Sequence, residues 1–182
     1  MRIVVSGTHA SGKSTLISDF AVGHPEYAVL PDPFDLLDET WDAAGAASFA
    51  AQLRIAADRL LSPDLGADVI AERGPLDFLA YLLALGELTG HHVSRELLER
   101  SAALATEALH RVDLLVVLPL GGDEQLVHDF DEHPELREAM NDALLDLLDD
   151  PDLIGEHLEV VELAGGRGER LAALESLTGT RR

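Results

Sequence analysis

Residues 2–14 read RIVVSGTHASGKS, a β-branched run, then two glycines bracketing four residues, then Lys-Ser. Core packing has no use for that order. It suits a strand that ends in a glycine turn and passes directly into a helix. Gly7 and Gly12 allow the backbone N–H groups of the turn to point inward together. The helix expected from Lys13 adds the partial positive charge of its N-terminus. The spacing G-x-x-x-x-G-K-[ST] is therefore a cradle for a phosphate chain. Gly7, Ala10, Ser11, Gly12, Lys13, Ser14 and Thr15 are the expected nucleotide contacts. Lys13 would stand between the β- and γ-phosphates, Ser14 on a magnesium ion, and Thr15 toward the α-phosphate. His9 occupies a loop position whose side chain either faces substrate or fills space.

Composition narrows what such a cradle serves. The chain has 182 residues, enough for one well-filled domain over 1–182, and a formal net charge of -21. That balance speaks against a nucleic-acid partner, which needs clustered Lys and Arg. Lys13 is the only lysine. An Asn-Lys-x-Asp guanine-reading motif therefore cannot be present, and a second helical domain of the ring-ATPase kind has no room. There is no cysteine, hence neither disulfides nor thiolate metal sites. No apolar run approaches the ~18 residues of a membrane span, and the N-terminus enters a strand pattern without a signal peptide. A cytoplasmic protein with no membrane partner is expected. The eight histidines form no metal-ligand spacing, and the adjacent His91 and His92 read as a solvated loop.

Strand patterns fall at 2–6, 27–31, 68–73, 113–120 and 158–163. Helical patterns fall at 13–22, 34–61 with a break near Gly45, 75–86, 94–111 with Ser94 as N-cap, 134–150 and 168–177. Alternating strands and helices predict an α/β fold: a parallel sheet with helices on both faces.

Two further constellations lie where strands end, the edge at which open α/β sheets bind ligands. The first is VIAERGPLDFLAYL (69–82). Glu72 can hold magnesium, and Arg73 can neutralise charge on a transferred phosphoryl group. Asp77 lies in a helix first turn, where an acid is also favourable on dipole grounds alone. The second is AVLPDPFDLLDETW (28–41), which places Asp32, with Asp35 as a rival, beside the cradle; a plain Pro-Asp-Pro turn is the other reading. Beyond it, FAAQLRIAADRL (49–60) carries Gln52, Arg54 and Arg59 on a helix.

With these residues in place, the chain resembles P-loop small-molecule kinases of the deoxynucleoside-kinase-like and ribosylnicotinamide-kinase-like group, small AAA-like P-loop NTPases. The resemblance rests on GTHASGKS, on ERGPLD followed by Ala80-Tyr81, and on Asp32-Pro33, where the family carries Glu-Pro. It implies a P-loop NTPase fold with a five-stranded parallel sheet in the order 2-3-1-4-5 and a lid around 119–137. It implies ATP and Mg2+ as cofactors and a small-molecule phosphate acceptor, with a homodimer left open. Among side chains it implies Asp32 as the group that accepts the proton of the attacking hydroxyl. Arg73 and Arg137 would supply charge, with His9, Asp35, Gln52, Arg54, Asp77 and Tyr81 on the substrate side. The loop at Gly165-Gly166 would lie against the adenine ring, or be a simple flexible turn. The lid departs from the family: residues 119–133 contain no Lys or Arg, and His128 stands where an arginine is expected. Phosphoryl transfer to a nucleoside-like hydroxyl is the main expectation. A regulatory nucleotide-binding protein with no acceptor is the alternative that the acidic lid favours.

Overall fold

The aliphatic runs pair into one parallel sheet. The computed structural model describes residues 1–36, 45–89, 93–120 and 134–179. The strands are β1 (Arg2–Ser6), β2 (Ala28–Leu30), β3 (Val69–Glu72), β4 (Leu114–Val117) and β5 (Glu159–Glu162). Their order is β2-β3-β1-β4-β5, as expected, with every pairing parallel. Between them run α1 (Lys13–Gly23), a 3-10 turn (Pro33–Leu36), α2 (Ala46–Leu61), α3 (Pro75–Thr89), α4 (Arg95–Leu109), α5 (Pro134–Leu148), α6 (Pro151–Ile154) and α7 (Arg167–Gly179).

Alternation along the central strands sorts the core into two layers. Val4, Ala71, Leu115 and Val117 face a large apolar cluster built with α2 to α6. Ile3, Val5, Ile70, Leu114 and Val116 face a smaller one built with α1 and α7, including Leu16, Phe20 and Leu174. Helices thus cover both faces. The edge strand β2 is correspondingly more exposed than the buried β1 and β4. Among the described residues, no helix is long and apolar enough to cross a membrane.

β4 is shorter than the expected 113–120, the helical pattern at 34 is a 3-10 turn, and two helix ends also differ from the sequence expectation. α3 runs past Gly86 to Thr89, because that glycine lies against Val93 instead of ending the helix. The helix expected over 134–150 stops at Leu148, and a separate turn, α6, follows. Asp150 caps α6, its carboxylate accepting from Asp152 N at 2.9 Å, with Pro151 at the first position. An Asp-Pro pair that reads as a helix end is in fact a new start.

Candidate active site

Because all five strands are parallel, their carboxyl ends share one edge. The connection leaving β1 runs to β2 on the β3 side, and the one leaving β3 crosses to β4 on the other side, so the crevice opens above Ser6. There the loop from Gly7 to Gly12 turns into α1. Ala10 (φ 58) and Gly12 (φ 90) are left-handed, and the residue between them is not. Alternation of this kind turns successive amides to one side and makes a concave anion nest. Gly7 (φ 144) cannot be replaced without strain, since a Cβ there would stand 2.6 Å from Leu118 O. No side chain caps α1, and its first turn carries no acid, although the chain has 34. The free N–H groups beside the exposed Ser14 and Thr15 are left for an anionic ligand. This donor set fits a nucleotide phosphate chain.

Lys13 is buried, and its Nζ donates to Thr8 O at 2.5 Å. Burial, reinforced by the nearby Arg73, lowers its pKa to about 7. A phosphate placed on the loop would reverse that pressure. Ser14 Oγ donates to Glu72 Oε1 at 2.7 Å. A hydroxyl and a carboxylate meeting beside a phosphate cradle are hard oxygen ligands of the kind magnesium takes.

Arg73 follows β3 and adopts φ 60, a conformation rare for a non-glycine residue and costly unless the surroundings enforce it. They do. Its backbone N–H bonds Val5 O, and its Nε donates to Asp32 Oδ2 at 2.7 Å. The guanidinium carbon lies 5.4 Å from the centre of the Tyr81 ring. Burial opposes the arginine's charge, but Tyr81, Asp32 and Asp77 together outweigh it and its pKa is raised. Asp32 is fixed from its other side as well, Oδ1 accepting from Phe34 N at 3.0 Å. Arg59 reaches from α2 to Pro31 O at 2.8 Å and pins the end of β2. Phe49 of α2 stacks on Tyr81 at 4.7 Å, which makes an aromatic wall beside the Asp32–Arg73 pair. Gln52, one helical turn further, is buried and bonded to Ser48 Oγ at 3.1 Å.

The other candidate residues differ in exposure and in partners. Asp77 is fully buried, and both its oxygens are committed. Oδ1 accepts from Gly7 N at 2.9 Å, and Oδ2 from Ser6 Oγ at 2.6 Å and Gly74 N at 2.8 Å. It therefore braces the phosphate loop against the start of α3 and has no face for substrate. Arg54 is exposed and lies off the buried face of α2, which carries Phe49, Gln52 and Leu53. Asp35 is exposed on the 3-10 turn, and His9 is exposed on the loop. Arg137 is buried, and its Nε donates to His9 O at 3.0 Å. His91, His92, His128 and the lid residues 121–133 lie outside the described residues.

Two participants were not legible beforehand. Phe49 reads as core until α3 brings Tyr81 against it. Arg170 reads as part of a charged helix start, yet its Nη1 donates to Ser11 O at 2.9 Å across 159 positions of sequence. Near it, Gly166 N is held by Glu169 Oε2 at 2.8 Å, and Arg167 makes two bonds to Asp19 at 2.6 and 2.7 Å. The Gly165-Gly166 loop is thereby tied into α7.

The sheet order, the loop geometry and the Ser14–Glu72 pair define a P-loop nucleoside-kinase-like fold. Comparison with solved structures gives the particular relatives. Deoxyadenosine kinase from M. mycoides, with products dCMP and dCDP bound, superposes with a TM-score of 0.74 at 14% identity, over 99% of this chain and 100% of that one. Thymidylate kinase from Candida albicans gives 0.62 at 16% identity, covering 98% and 91%. NadR in complex with NR gives 0.67 at 17% identity, covering 98% of this chain and 51% of the other. No protein-family model and no curated protein sequence matches the chain.

Proposed function

We propose that this protein transfers the γ-phosphoryl group of ATP, with Mg2+, to a hydroxyl of a nucleoside or nucleoside-like metabolite in the cytoplasm. The observation that carries the reading is the Asp32–Arg73 pair, held at the carboxyl edge of the sheet by a left-handed backbone and placed next to the phosphate loop. A carboxylate at this edge has a task in a kinase, orienting an acceptor hydroxyl, that a nucleotide switch without an acceptor lacks. The amides of the loop and Lys13 hold the β- and γ-phosphates. Ser14 and Glu72 are the residues that would hold magnesium, which when bound neutralises phosphate charge. Asp32 orients the acceptor hydroxyl and takes its proton as the new O–P bond forms and the bond from the γ-phosphorus to the ADP oxygen breaks. Arg73 offsets charge on the transferring group. Tyr81, Phe49 and Gln52 form the wall against which the acceptor lies, and the exposed Asp35 and His9 are further substrate contacts in this reading. The test is Asp32→Asn, which should keep ATP affinity and lose about 10²-fold or more in turnover. Near-normal turnover in this variant would remove Asp32 from the chemistry and with it the basis of the reading.

A further inference from the structure

In the P-loop of this chain, two carbonyls accept hydrogen bonds from arginines on distant helices. Ser11 O takes Arg170 Nη1 at 2.9 Å and His9 O takes Arg137 Nε at 3.0 Å. A trans peptide is planar, with its C=O and N–H pointing in opposite directions. The peptide that carries Ser11 O also carries Gly12 N–H, and the one that carries His9 O also carries Ala10 N–H. Gripping the carbonyl from behind therefore turns the next residue's amide to the opposite side, into the cradle. Ala10 and Gly12 are also the two left-handed positions of the nest, the conformations that set which way these peptides face.

From this we infer that Arg170 is a positioning residue for phosphate binding, acting through the Ser11–Gly12 peptide, with Arg137 as its counterpart at His9–Ala10. The inference rests on the phosphate-cradle reading of the loop. Three observations give Arg170 this role over that of a chance surface contact. It is half-buried on a helix anchored by the fully buried Leu174. The neighbouring Arg167–Asp19 pair fixes the same helix turn to α1. A Cβ added to Gly12 would stand 3.3 Å from Arg170 Nη1, so the guanidinium sits against the very residue whose amide it aims. Charge matters as well. The chain carries a formal net charge of -21 and a single lysine, yet must receive a polyanion. Arginine cannot deprotonate, so the two guanidiniums are permanent cations behind the nest, and hydrogen bonding to them polarises the peptides toward the ligand.

The experiment measures calorimetric affinities for ATP and for inorganic tripolyphosphate, both with magnesium, at a temperature where every variant is folded. Tripolyphosphate has no base or ribose, so it reads the cradle alone. Arg170→Met should lose about 10-fold or more in affinity for both ligands by equal factors, as expected for one charge-assisted hydrogen bond. Arg170→Lys should recover part of the loss. Arg167→Ala, which removes a neighbouring exposed cation that does not touch Ser11, is the charge control and should leave tripolyphosphate affinity unchanged. A merely structural arginine would lower the melting temperature and leave these affinities alone, so that result overturns the inference. Loss confined to ATP overturns it too, because it would place Arg170 at the base. If the wild-type chain binds neither ligand, the cradle reading itself falls.

Discussion

Asp77→Asn separates a brace from a substrate ligand. The carboxylate is fully buried and accepts three hydrogen bonds, two of them from backbone amides on opposite sides of the cleft. Asparagine keeps the shape but offers one acceptor oxygen and one NH2 group. Whichever way it flips, a donor faces Gly7 N–H or Gly74 N–H. One charge-assisted bond is lost and one buried N–H is left without a partner, together about 3–5 kcal/mol. For a chain of this length that lowers the melting temperature by on the order of 10 °C. The assay is thermal unfolding followed by circular dichroism, with acceptor KM measured well below the transition. The expected result is a large drop in melting temperature with acceptor KM unchanged in the protein that remains folded. A variant that melts within a degree or two of wild type but shows a raised acceptor KM would refute the brace and return Asp77 to the substrate side.

Arg73→Ala should reduce single-turnover rates by on the order of 10³-fold, the scale of arginine contributions to phosphoryl transfer, and Arg137→Ala should cost less; equal losses would mean that both arginines act at the same step. Lys13 supplies a pH prediction. Its pKa in the folded protein is about 7, below its ordinary 10.5. The unfolded chain therefore holds more protons between those values, and this group's penalty on folding is full below pH 7 and relieved as the pH rises toward 10.5. Nucleotide binding favours the charged lysine, so at pH 8 ATP should bind with proton uptake. Calorimetry in two buffers of different ionisation enthalpy should show different apparent enthalpies; identical values would show that the lysine is already charged in the empty site.

The strands and the loop were readable because their signals are local. β1, the glycine spacing and the start of α1 lie within a few residues of one another. The buried status of Asp77 was not, because two of the acid's partners, Ser6 and Gly7, are remote in sequence, and only the β1–β3 pairing brings them to it. First-turn acids are common enough that the sequence gives no reason to choose a brace. Arg54 and Gln52 show the same limit. Two positions apart on one helix, they point to different sides, and which side is inward depends on how α2 packs on α3. Arg170 carries no local mark at all: its partner is a backbone carbonyl, which every residue has.

A kinase needs a phosphate acceptor, and a nucleotide switch does not. The direct measurement is ADP formation by the purified protein with Mg-ATP, alone and with a panel of nucleosides, deoxynucleosides and nucleoside-like pyridine ribosides, with products resolved by chromatography. ADP release should be slow without acceptor and markedly faster with at least one panel member, with one phosphorylated acceptor for each ADP. Tight Mg-ATP binding with ADP formation that no acceptor accelerates would contradict it, and would make the protein a nucleotide-binding switch instead of a kinase.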